Sequence, residues 1–169
     1  EEYFAEKSSK ILQLQQKIDD MTMAAINRPT NQTVINQKIQ NLLPLNLDNM
    51  NDQSKYLTID HIKNGAAGYA KFALEYPLKD RIVCVDYARR KIKFKNEDGR
   101  LITDPDMANT ATKFFESIKN HNEELITKYS TELTTNFGEN GDLIVELLGY
   151  KDEIHNLALG QKDEFHSDF

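Results

Sequence analysis

Apolar residues return every seven positions at the start of this chain: Phe4, Ile11, Ile18 and Ala25. Leu14 and Met21 fill the intermediate row, and Lys7 interrupts it. This is the spacing of a two-sided helical seam, with Ile at a positions and Leu or Met at d positions. The spacing predicts one helix over residues 2–27, ended by Pro29. A lone helix cannot hide such a seam from water, so the pattern predicts a coiled-coil oligomerisation helix over residues 1–28. The Ile-at-a, Leu-at-d choice points to a homodimer, with a trimer as the alternative.

Residues 29–56 read as a linker with one short element. Ile35, Ile39 and Leu42 keep the heptad phase, so residues 33–46 fit a short helix. Ile35, Ile39, Leu43 and Leu45 also fit a two-residue period, and Pro44 with the Thr-Val-Ile content favours the extended path. Asp48–Ser54 reads as a polar, turn-rich bridge. Residues 57–160 then read as an α+β domain. Thr58 is placed to cap a helix running to Glu75, with Ile59, Ile62, Ala66, Tyr69, Phe72 and Ala73 at helical spacing. Gly65 and Gly68 inside it imply a break near Asn64–Gly65 or the close approach of another backbone. Residues 81–86 and 91–95 are the clearest strands, the second alternating strictly. Residues 97–100 form a tight turn into a third strand over 101–103. Asp104–Pro105 has the pattern of an N-cap followed by a first helical residue, opening a long helix that reaches Ser130 or Leu133. Phe137–Gly141 reads as a break, with Asp142 capping a last helix. Residues 161–169 are a polar tail apart from Phe165 and Phe169. Tyr69, Phe72, Phe114 and Phe115 are the expected core, with Ile82, Val85, Ile92 and Phe94 from the strands. The fold expected is α+β and mostly helical: an N-terminal coiled-coil helix followed by a small antiparallel sheet packed on helices.

Composition narrows the function. The 169 residues carry a formal charge of −6, so the chain as a whole is not built to coat nucleic acid or an anionic membrane. No apolar run approaches the ~18–20 residues that span a bilayer. There is no signal peptide, which points to an intracellular setting, in a host cell or virion. A chain that opens at Glu1 without Met reads as a fragment of a longer protein. The single cysteine, Cys84, excludes an intrachain disulfide and a Cys-based zinc site. Flanked by Val83 and Val85, it is expected to be a buried small hydrophobe.

One charge cluster stands apart. Residues 77–100 hold eight basic and four acidic side chains, a local +4 that leaves −10 on the rest. Arg89, Arg90, Lys91, Lys93 and Lys95 lie within seven residues, with Lys91, Lys93 and Lys95 on one face of a strand and Arg90, Ile92 and Phe94 on the other. Such a hairpin over 89–100 could grip phosphates, since basic side chains release counterions from nucleic acid. It could equally be a solvated strand kept from edge aggregation by its lysines. His61, His121, His155 and His166 lack metal-ligand spacing. Gly138–Asp142 lacks the Lys-Ser/Thr ending of a phosphate loop. No nucleophile motif is present. The expectation is a non-catalytic oligomerising module with no cofactor and no metal, and nucleic-acid binding by the hairpin as the alternative.

The run Tyr-Pro-Leu-Lys-Asp-Arg-Ile-Val-Cys-Val-Asp-Tyr-Ala-Arg-Arg-Lys-Ile-Lys-Phe-Lys-Asn-Glu-Asp-Gly-Arg-Leu-Ile-Thr-Asp-Pro-Asp-Met, residues 76–107, resembles a segment in uncharacterised proteins of large double-stranded DNA viruses. There it follows a predicted coiled coil and sometimes an N-terminal zinc finger. The resemblance covers residues 30–169 and implies viral origin and a role downstream of a coiled coil. It carries over no catalytic residue.

Overall fold

The computed structural model describes residues 15–18, 21 and 31–161. The chain forms two compact units, residues 1–37 and 38–169. In the first, residues 15–18 and 21 are helical, and helix α1 (Asn31–Asn41) begins. Of the seam, Phe4, Ile11, Leu14 and Ala25 lie outside the described residues.

The second unit is mostly helical with a small antiparallel sheet. Residues 33–46, open between helix and strand in the sequence, divide: α1 continues to Asn41, and the chain is extended around Pro44, which makes a parallel bridge to Lys95. Pro44 lacks a backbone donor, but its neighbour Leu45 donates to the Lys95 carbonyl at 2.8 Å. The stretch read as a turn-rich bridge is instead helix α2 (Leu47–Ser54). The Asn46 side chain accepts from the Asn49 amide at 2.8 Å, and Met50 is fully buried. One cap and one anchor hold a segment whose composition favours turns.

The Thr58 helix exists but is broken where its glycines stand. Thr58 caps α3 (Ile59–Lys63) through a capping box with His61. The chain turns at Gly65, which takes φ +58°, and restarts as α4 (Gly65–Glu75). Gly68 has a different reason: a Cβ there would lie 1.8 Å from the His61 carbonyl oxygen. Both sequence explanations hold, one per glycine. The elbow lets α4 bury Tyr69, Phe72 and Ala73.

Strands β1 (Ile82–Asp86), β2 (Lys91–Lys95) and β3 (Leu101–Asp104) form an antiparallel sheet in the order β1-β2-β3. Ile82, Phe94 and Ile102 stand in register, as do Cys84, Ile92 and Asp104. Strand alternation puts these six on one face and Val83, Lys93 and Thr103 on the other. A register shift between Cys84 and Asp86 brings Asp86 opposite Lys91.

Two long helices complete the unit. α5 (Ala108–Leu133) spans about 39 Å and buries Phe114, Phe115, Ile118 and Ile126. α6 (Phe137–Ala158) packs along it through Leu147, Ile154 and Leu157. The break expected at Phe137–Gly141 falls earlier, in a 3₁₀ turn at Thr134–Asn136. α6 runs through Gly138 and Gly141, so Asp142 is not its cap. Each internal glycine costs about 1 kcal/mol, which the burial along α5 offsets. Gly160, at φ +78°, ends the helix, with the Gln161 amide returning to the Asn156 carbonyl at 3.1 Å.

The core is continuous from Leu45 and Met50 through Tyr69, Phe72 and Phe94 to Phe114, Phe115 and the α6 leucines. Aromatic rings link its parts: Tyr56 stacks on Tyr76 at 5.1 Å, and Phe72 meets Phe114 at 6.1 Å. The expected core residues Ile82 and Val85 are only half-buried, because β1 is an edge strand. Gly68→Ala should lower the unfolding free energy by about 3 kcal/mol, since its methyl meets backbone that cannot yield. Chemical denaturation checks this, and an unchanged midpoint would refute the close approach.

Candidate functional site

The basic hairpin folds as its alternation predicts, but much of its charge is committed. Ile92 and Phe94 are buried, and Lys91, Lys93 and Lys95 share the opposite face, half-buried. The Lys95 ammonium donates to the Gln40 carbonyl at 2.7 Å. Gln40 lies in the last turn of α1, where carbonyls lack helical partners and a positive charge is favoured. Arg81 similarly donates to the Pro44 carbonyl at 2.6 Å. Arg89 is exposed and pairs with Asp86 at 3.7 Å, a contact of small energetic weight at the surface. Lys91 lies opposite Asp86, and Lys93 lies between Val83 and Thr103. Arg90 leaves this group altogether: it sits in the β1–β2 turn at φ +50° and faces a cleft.

That cleft is a concave, mostly apolar feature of the described residues. Its volume is about 450 Å³, within the range of small-molecule and peptide-anchor sites. α4 supplies Ala70, Ala73 and Leu74, the sheet supplies Ile82, Cys84 and Ile92, and the turns supply Leu78, Tyr87, Arg90 and Met107. The lining is apolar except for Arg90 and the polar tips of Cys84 and Tyr87. Leu74 is 59% exposed and Tyr87 91% exposed. Cys84, expected to be buried, is exposed and opens into this cleft. Val83, on the opposite face, is the buried member of the pair. Nothing local in the sequence distinguishes the two positions; the face of β1 on which each stands does.

Met107, the cleft's far wall, is held by a junction that differs from the expected N-cap. Pro105–Met107 form a 3₁₀ turn in which Asp106 and Met107 both take positive φ, 58° and 52°. Left-handed backbone at such residues costs of order 1–3 kcal/mol and persists only where surroundings impose it. Here they do. Asp104 is fully buried, and its carboxylate accepts from the Thr110 amide and hydroxyl at 2.7 Å each. It also accepts from the Asn109 amide at 3.2 Å and the Asn109 side chain at 3.4 Å. Asp104 therefore does cap the helix, but across a looped-out turn rather than from the adjacent position. Charge-assisted bonds and the helix N-terminus together make a buried carboxylate tolerable.

A second polar group lies inside the helices. The Tyr69 hydroxyl donates to the buried Asn122 side chain. Burial, then the neighbouring Tyr150 and Glu153, push its pKa well above the ordinary 10.0. The Tyr150 hydroxyl donates to the Glu146 carboxylate at 2.7 Å. Burial and that contact push Tyr150 up to about 12. On the surface, Lys151 bonds Glu123 at 2.8 Å and holds its carboxyl below the usual range. No cluster of three metal-ligating side chains occurs among the described residues. No helix among them is long and apolar enough to cross a membrane.

No protein-family model matches the chain, and neither does any curated protein or solved structure.

Asp104→Ala should cost about 3 kcal/mol, since it orphans two buried donors and releases the strained turn; Asp104→Asn should recover part of that. Urea unfolding of the three proteins checks the order. The tyrosines set an alkaline limit. Unfolded Tyr69 ionises near pH 10 whereas the fold keeps it protonated, so its contribution is complete below pH 10 and falls as pH rises above it. The melting temperature should drop between pH 10 and 12, and less steeply in Tyr69→Phe. Equal slopes in circular-dichroism melts would refute this assignment.

Proposed function

We propose that the chain is a non-catalytic interaction module: the N-terminal heptad helix associates with copies of itself and carries the α+β unit. The observation behind this is the state of the two described seam residues. Ile18 and Met21 lie on helical backbone and are 61% and 70% exposed. An a and a d position left facing water in a single chain gain apolar burial when a second seam covers them. The 38–169 unit has a core of its own, so association is not needed to fold it. Four heptads with a lysine in one row form a short seam, marginal on its own. The resemblance of residues 76–107 to viral segments that follow a coiled coil agrees with this arrangement.

The competing reading is nucleic-acid contact through the hairpin. With Lys95 and Arg81 bonded to carbonyls, it draws on Lys91 and Lys93, with Arg89 and Arg90 beside them. Two or three phosphate contacts would give shallow salt dependence and weak affinity.

Light scattering separates the readings. Deleting residues 1–27, or Ile18→Asp, should reduce the mass from a dimer or trimer to the monomer while the circular-dichroism melt of the remaining unit persists. An unchanged mass would sink the proposal. Anisotropy of labelled DNA and RNA at low salt should show no binding that Lys91→Glu with Lys93→Glu abolishes; such binding would favour the competing reading.

A further inference from the structure

α6 buries one stripe in the core and leaves another in water. Ile144, Leu147, Ile154 and Leu157 are buried. Val145, Leu148 and Leu159 are 68%, 45% and 62% exposed, and Asp152 and His155 between them are exposed as well. The Leu159 amide still returns to the His155 carbonyl at 3.3 Å, so the helical path reaches Leu159. From Val145 to Leu159 the steps are three, four, three and four positions, the a and d alternation of a coiled-coil seam. Toward α5 the stripe is flanked by Lys151, which bonds Glu123 at 2.8 Å. A depression there is lined by Lys119, Asn120, Glu123, Lys151, Asp152 and His155. The seam is apolar at both ends, with a carboxylate and an imidazole at its middle. It calls for a helix carrying the same groups in reverse order, and α6 itself, turned end for end, is such a helix.

We propose that α6 pairs with α6 of a second copy of this chain, antiparallel about a two-fold axis between Glu153 and Ile154. In that register Asp152 faces the second copy's His155, and Leu148 faces the second copy's Leu159, each twice by symmetry. An imidazole N–H can donate to the carboxylate whether the ring is neutral or charged. Other arrangements match less well. Parallel pairing sets Asp152 against Asp152, a repulsive contact. Sliding the antiparallel pair by one heptad sets each carboxylate against Leu148 and strips it of water without a partner. Charge and apolar order together select one orientation. Five residues a side fall well short of the about 20–30 in a stable interface, so the contact is weak alone. Where the N-terminal helices already join two copies, it becomes intramolecular, with an effective concentration in roughly the millimolar range. Only that strengthening rests on the coiled-coil reading; the pairing geometry does not.

Disulfide trapping in the full chain reads the register. Cys84 is the single cysteine; on a Cys84→Ser background, Leu148→Cys and Leu159→Cys are made singly and together, both at exposed positions. The two sites lie about 16 Å apart along the helix, too far to bridge within one chain. The same spacing separates each site from its own counterpart in the second copy. Under mild oxidation at high protein concentration, the single variants should therefore give little linked dimer. The double variant should give roughly ten-fold more, as a dimer with both thiols of each chain consumed. Asp152→Lys on the double variant should suppress linking, and adding His155→Glu should restore it, because unlike charges then face each other again. Equal yields from single and double variants, or no linked dimer from the double variant, would overturn the proposal. The two readings fail separately. A mass that ignores Ile18→Asp refutes the coiled coil, whereas a dimer mass without trapped disulfide refutes the α6 pairing.

Discussion

The α+β unit depends on how its longest helix leaves its sheet. α5 is the surface against which α2, α3 and α6 pack, so its direction fixes theirs. That direction is set in three residues between Asp104 and Ala108, two of them in left-handed backbone. A turn so strained has no stability of its own. It is held from both ends by one carboxylate, which sits on the last residue of β3 and accepts from the first turn of α5. Because that carboxylate is buried, each of its bonds replaces one that water would otherwise make, and loss of any leaves a desolvated partner. The same junction places Met107 on the wall of the cleft, so the geometry of the cleft and of the helix packing have a common origin.

The charge of the hairpin illustrates how little a cluster in sequence says about its use. Five basic residues within seven positions suggest one surface. The fold divides them: Lys95 closes the end of α1, Arg89 meets Asp86, and Arg90 turns toward the cleft. Lys91 and Lys93 are left on the outer face. Partners of Lys95 and Arg81 lie 55 and 37 positions away, beyond the range of any local pattern. The cleft is similarly invisible in sequence, since its walls come from α4, the sheet and three turns.

What periodicity could reveal, it revealed. The strict alternation of residues 91–95, the Thr58 cap, the extent of α5 and the buried aromatic set all follow from local rules, because one face of each element must meet the core. The departures share a cause. α2 and the first turns of α6 carry turn-forming or glycine-rich sequence, and tertiary contacts of Met50, Ile144 and Leu147 override it. Cys84 differs from Val83 only by strand face, which a short apolar run does not encode. Residues 33–46 look ambiguous because they are two things, a helix end and an extended segment.

The extended segment after α1 has a mechanical meaning. Anything pulling on the chain ahead of residue 38 transmits its tension through residues 40–45. These are fastened to β2 by Lys95 on Gln40 and the Leu45–Lys95 backbone bond, and to the turn before β1 by Leu43 on Asp80 and by Arg81 on Pro44. Two of the four fasteners belong to β2, the middle strand, which is flanked on both sides. Force therefore enters the sheet partly at its centre instead of wholly at an edge that could be unzipped bond by bond. Several bonds at the entry point must share it together, so residues 40–45 are held to the unit at more than one point.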